Sequence, residues 1–174
     1  SYTADYDMED PKIALKAVHT YHVAELCQTI AESLALNEVE CMAAWLSGLL
    51  HDVGRFEQIR RFNTFSDADS IDHALLSTEI LFGTKEDASC GRIRQVILDP
   101  SWDIYLYKAI KYHSAYRLPP DLSEMEKTYC QILRDADKID IFRVNLETPM
   151  EDIYNTTTET LKQAEVTSEV LQAF

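Results

Sequence analysis

Apolar positions recur at helical spacing through most of this chain. Taking 100° per residue and centring on His19, the side chains of Leu15, Val23, Leu26 and Ile30 fall within about 40° of it. Asp10-Pro11 supplies an N-cap followed by proline at the first helical position, so a long helix is predicted to start there with His19 in the middle of its core-facing stripe. Asn37 caps a second helix running to about Leu50. Its run Met42-Ala43-Ala44-Trp45-Leu46 with Leu49-Leu50 is apolar nearly all round, which predicts burial. Arg55 to Ser70 reads as a loop rich in Arg and Phe. Asp72 opens a third helix through Leu81, stopped at Gly83, with Ser77 and Ile80 on the side of His73.

The pattern is weakest over residues 84 to 100, where a short helix around Ile93 to Leu98 is ended by Pro100. From Ser101 a further helix carries Trp102, Leu106, Ala109 and Ile110 on the side of His113. Pro119-Pro120 marks a turn, and Ser123 with Glu126 forms a capping box for a helix on which Cys130, Leu133, Ile141 and Val144 lie within about 40° of Asp137. After Pro149 the chain is Thr-rich and at best amphipathic, ending on the apolar run Val170-Leu171-Gln172-Ala173-Phe174. No period-2 alternation and no glycine-rich phosphate loop appear. The expectation is an all-α, compact helical bundle, a single domain over residues 1–174 with its core at about 11–145 and a helical extension at about 150–174.

Histidine and aspartate at the centres of apolar stripes are anomalies, because a buried charge without a partner costs several kcal/mol at least. The chain has five histidines, and His19, His51, His73 and His113 fall one per predicted helix. His51-Asp52 ends the second helix, and Asp137 adds another carboxylate. Neighbouring helical residues point about 100° apart, so His51 and Asp52 can converge only where the helix is ending, as Gly54 permits. Imidazole and carboxylate together suit Mn, Fe, Co, Ni, Zn or Mg rather than thiophilic ions.

In chain order the set is His, His-Asp, His, His, Asp. Through His19, His51-Asp52 and Asp137, with Val53-Gly54-Arg55 following the His-Asp pair, it resembles the HD-domain superfamily of metal-dependent phosphohydrolases. The match His19-Thr20-Tyr21-His22-Val23 assigns the first ligand to His19 and leaves His22 as a flanking residue. His73 and His113 resemble the two further ligands of the two-metal branch. The resemblance implies two divalent metal ions: Asp52 bridges them, His19, His51 and Asp137 complete one, and His73 and His113 hold the other. A hydroxide between the ions would be the nucleophile. It also implies a small phosphorylated substrate, a nucleotide or related phosphoester. Asp52 and Arg55 are then the catalytic candidates, and Arg55, Arg60, Arg61 and Lys138 the candidate phosphate contacts. Phe62, Phe65 and Tyr116 are candidates to stack on a ring. The same six-ligand order occurs in the superfamily's di-iron oxygenases, the alternative activity, and a non-catalytic regulatory HD domain is a second alternative. A Gly-Tyr-Pro motif typical of cyclic-dinucleotide phosphodiesterases is missing.

Charge narrows the partners. A formal charge of −14 repels a nucleic-acid polymer. Cys27, Cys41, Cys90 and Cys130 have no C-x-x-C spacing and read as reduced thiols. With no apolar run near about 18 residues and no signal-peptide pattern, no membrane partner and a cytoplasmic location are expected, although Ser1 in place of Met suggests a processed start. Asp67, Asp69, Glu124 and Glu126 read as solvent-facing charge.

Overall fold

In the computed structural model, which describes residues 5–172 except 85, 155 and 164, the described residues form nine α-helices and no strand. They are α1 (Pro11–Ser33), α2 (Glu38–Leu50), α3 (Val53–Phe62), α4 (His73–Phe82), α5 (Asp103–Tyr112), α6 (Glu124–Glu147), α7 (Met150–Tyr154), α8 (Thr158–Lys162) and α9 (Ser168–Gln172). The long helices begin where local chemistry satisfies their free N–H groups. Asp10 accepts from the Lys12 N–H, Asn37 and Glu40 cap each other reciprocally, Asp72 accepts from the Leu75 N–H, and Ser123 and Glu126 form the expected capping box. Gly83 ends α4 with φ 86°, a conformation open to glycine.

Six helices, α1 to α6, contribute to one continuous core. Val23, Cys27 and Ala31 of α1 meet Ala43 and Ala44 of α2, while Leu106, Ala109 and Ile110 of α5 meet Tyr129, Ile132, Leu133 and Ala136 of α6. Small residues let α1 and α2 approach closely: a Cβ on Gly48 would sit 2.7 Å from the Ala24 Cα. The buried Tyr129 hydroxyl donates to the Glu40 carbonyl, which satisfies its polar end.

Several expectations need correction. The segment predicted as a loop after Arg55 begins with a helix, α3, on which Val53, Phe56 and Ile59 recur every three residues and are buried. Gly54 does not end a helix. It lies in the first turn of α3, where an added Cβ would be 2.5 Å from the His73 carbonyl oxygen and 2.7 Å from the Ser77 nitrogen, so its function is close approach to α4. Finally, α2 is not buried all round, since Met42 is exposed, and Ile141 of α6 is also exposed.

The weak stretch contains 3₁₀ turns at Ile93–Gln95 and Pro100–Trp102 in place of the predicted short helix. At the C-terminal end Leu171 is exposed. Ala173 and Phe174 of the apolar run, and residues 1–4 of the polar N-terminal stretch, lie outside the described residues. No helix among the described residues is long and apolar enough to cross a membrane.

Candidate metal centre

Five helices or their junctions deliver the polar residues to one buried point. His19 comes from the middle of α1, His51 and Asp52 from the two-residue joint between α2 and α3, His73 from the first position of α4, His113 from the end of α5, and Asp137 from α6. The joint is what allows His51 and Asp52 to face the same space, because neither lies within a regular helix there. All six are buried.

Each of the four cluster histidines has one nitrogen fixed from outside. Nδ1 of His51 donates to the Gly48 carbonyl at 2.7 Å and Nδ1 of His113 to the Ile110 carbonyl at 2.6 Å. Nδ1 of His19 meets Asp140 Oδ2 at 2.6 Å, and Nδ1 of His73 meets Asp67 Oδ2 at 2.6 Å. A carbonyl or carboxylate can only accept, so the proton belongs on Nδ1 and the lone pair on Nε2. The Nε2 atoms all point inward at Asp52. Those of His19 and His51 lie 3.8 and 3.4 Å from Asp52 Oδ2, and those of His73 and His113 lie 3.6 and 3.7 Å from Oδ1. Asp137 Oδ1 joins the first half, 3.2 Å from His19 Nε2 and 3.8 Å from His51 Nε2.

Such an arrangement fits cations. His19 Nε2, His51 Nε2 and Asp52 Oδ1 are buried with no hydrogen-bond partner, although buried polar atoms are normally satisfied. The donor atoms form two groups able to hold a metal ion, His19–His51–Asp52 and Asp52–His73–His113, with Asp52 common to both. Imidazole nitrogens whose far side is tied to a carbonyl or carboxylate are the usual form of a metal-binding histidine.

The electrostatics agree. Burial would raise the Asp52 carboxyl, but His51 and Lys16 hold it well below the ordinary range, and Asp137 is likewise lowered against burial by His19 and His51. Burial and the neighbouring His51 and His73 push His113 down to about 3, leaving its imidazole neutral. His51 is raised, because Asp52 and Asp137 outweigh its burial.

The structure also supplies partners that sequence reasoning overlooked. Lys16 places its ammonium 2.7 Å from Asp52 Oδ2. Asp140, held by Arg143 at 2.7 Å, orients His19. Asp67 is not merely solvent-facing: it bridges His73 and Arg55. Glu126 is buried and paired with Lys108 at 2.9 Å. Lys16 is three residues before His19 and Asp140 three after Asp137, so each shares a helix face with a cluster residue; that spacing was the available signal.

Of the predicted phosphate contacts, Arg55 and Lys138 lie beside the cluster. Arg55 Nε is buried without a partner 3.9 Å from Asp52 Oδ1, while its Nη1 donates to Gln58, to the Phe65 carbonyl and to Asp67. Lys138 contacts Asp137 Oδ2 at 2.6 Å and is otherwise exposed. Arg60 and Arg61 are not brought to the cluster. Both bond Glu57 and line a separate cleft with Tyr6, Thr84 and Arg92. His22 lies in a groove with Glu25 and Arg143. Phe62 and Tyr116 are exposed, and only Phe65 of the three candidate stacking residues lines the cleft next to His19. No disulfide forms among the described residues; Cys27, Cys41, Cys90 and Cys130 are free thiols.

Residues 17–141 match the HD domain family, and the chain belongs to it. HD domains are typically metal-dependent phosphohydrolases, and this one carries its buried His/Asp cluster intact. No curated protein and no solved structure gives a significant match.

Proposed function

We propose that this protein is a phosphohydrolase that uses two divalent cations to hydrolyse a small phosphoester, with a nucleotide or related phosphoester as the substrate. The observation that carries the reading is the division of the Asp52 carboxylate, with one oxygen facing His19 and His51 and the other facing His73 and His113. In this reading His19, His51, Asp52 and Asp137 would hold one cation, and Asp52, His73 and His113 the other. Bound there, the cations would acidify water and neutralise charge on a phosphoryl oxygen.

The protein's own groups do the rest. Asp140 and Asp67 keep His19 and His73 in the tautomer that presents a lone pair inward. Lys16 and Arg55 line the cleft next to His19 and are the cations placed to receive phosphate oxygens, with Lys138 beside Asp137 as a third. In a chain of charge −14, this local positive edge attracts an anionic substrate to an otherwise repelling surface. Arg60 and Arg61 are left out of the proposed contact, since they line a separate cleft with Tyr6 and Arg92.

The test is metal analysis of the purified protein followed by a phosphoester screen with Mn²⁺ supplied. Turnover that is lost on chelation and restored by metal supports the proposal. Bound iron with O₂ uptake and no phosphate release would contradict it in favour of the oxygenase chemistry that shares this ligand order.

A further inference from the structure

A cleft of about 300 Å³ opens beside His19, and its walls are chemically graded. At the end next to the cluster stand Lys16 and Arg55. Phe65 braces both, with the Lys16 ammonium 5.3 Å and the Arg55 guanidinium 5.9 Å from its ring centroid, which fixes the two cations at the cleft edge. Leu15 of α1, Ile141 and Val144 of α6, and Ile153 and Tyr154 of α7 form an apolar face, while Thr64, Ser66 and Asn145 add polar groups to the rest of the lining.

The α7 contribution is the unexpected one, because it comes from the short helix after Pro149 and lies outside the 17–141 family match. Its Tyr154 hydroxyl bonds Asn145 Oδ1 at 2.9 Å, and the Asn145 amide in turn donates to the Ile141 carbonyl at 2.8 Å. That chain of bonds orients the Tyr154 ring while leaving it half exposed. A ring held in this way offers a flat apolar face at little further cost in side-chain entropy. Ile141 exposed on an otherwise buried stripe has the same explanation: its partner is the cleft.

Resting on the phosphohydrolase reading, we propose that α7 is a specificity-determining wall, and that the cleft selects phosphomonoesters whose organic part lays a flat ring against it over those built on open-chain polyols. The anionic head sits at Lys16 and Arg55, and the ring lies against Ile141, Ile153 and Tyr154. A polyol laid against Ile141 and Ile153 would lose water from its hydroxyls to side chains that return no hydrogen bonds. At about 300 Å³ the space is at the lower end of small-molecule sites, which run from about 300 to 1,000 Å³, and is large enough for one ring.

The experiment uses the metal-loaded full chain and two probes that cannot be hydrolysed at an ester bond, phenylphosphonate and methylphosphonate, with affinities measured by calorimetry. The wild type should bind phenylphosphonate at least about tenfold more tightly. In Ile153→Ala/Tyr154→Ala that ratio should fall toward one, whereas Tyr154→Phe, which keeps the ring, should retain most of it. Equal affinities in the wild type, or an undiminished ratio in the double variant, would overturn the inference, as would failure of both probes to bind. Metal-dependent hydrolysis of a phosphomonoester panel is measured in parallel. Turnover there without a ring preference leaves the hydrolase reading standing and removes only the wall; absence of turnover removes the hydrolase reading itself.

Discussion

His73 and His113 bring their Nε2 atoms to 3.0 Å from each other, although the Nδ1 of each already donates to an acceptor. Two lone pairs so placed repel unless a proton or a cation lies between them. A cation shared by both rings and Asp52 Oδ1 would resolve the conflict. His73→Ala and His113→Ala should therefore each lose one of two bound metal equivalents, read by elemental analysis of protein dialysed against a slight excess of Mn²⁺. A variant of either that keeps both equivalents shows that its ring is core packing.

The carboxylates behind the rings make a finer prediction. Asp140→Asn should weaken the His19 half and Asp67→Asn the His73 half, each by about 10- to 100-fold in metal affinity, the usual cost of removing an outer partner of a ligating histidine. The two effects should fall on different equivalents in a metal titration. If both variants titrate like the wild type, these carboxylates serve only the fold.

Gly54 tests how the cluster depends on helix packing. Gly54→Ala would press a methyl group against the His73 carbonyl and the Ser77 N–H, so α4 must move and carry His73 with it. Overpacking of this kind costs about 1–3 kcal/mol, and more where backbone is the obstacle. Thermal unfolding with and without metal should show lower stability and a smaller gain on metal addition. A variant as stable as the wild type, with an equal metal gain, would contradict the close approach.

Arg55 has two tasks in this account. Its Nη1 holds the loop at Phe65 and Asp67, and its unpartnered Nε faces the cluster. Arg55→Ala should lower kcat/KM for the best phosphoester by roughly 10- to 100-fold, corresponding to about 1.5–3 kcal/mol for a lost charge-assisted contact. Arg55→Lys should recover part of the activity, and metal content should stay the same in both. Activity within about twofold of wild type in Arg55→Ala would make it a loop anchor alone.

How much of this was legible in the sequence depended on the range of the interaction. The caps Asp10, Asn37, Asp72 and Ser123 act within three residues, so the starts of α1, α2, α4 and α6 could be read directly. The six cluster residues were visible because histidine and aspartate contradict the apolar stripes around them. Helix α3 was hidden: its buried stripe includes Glu57 and Gln58, and its glycine serves the close approach of α4, a contact between segments that local sequence does not encode. Asp67 carried no periodic signal, since it reaches His73 from a loop. The α7 wall depends on a contact between distant segments, which a weak Thr-rich pattern does not announce.

The central claim is that Asp52 joins two cation sites, and anomalous diffraction from crystals grown with Mn²⁺ tests it most directly. The account predicts two peaks about 3.5–4 Å apart, one against Asp52 Oδ2 with His19, His51 and Asp137, the other against Oδ1 with His73 and His113. A single peak, or two peaks of which either does not touch Asp52, would contradict it.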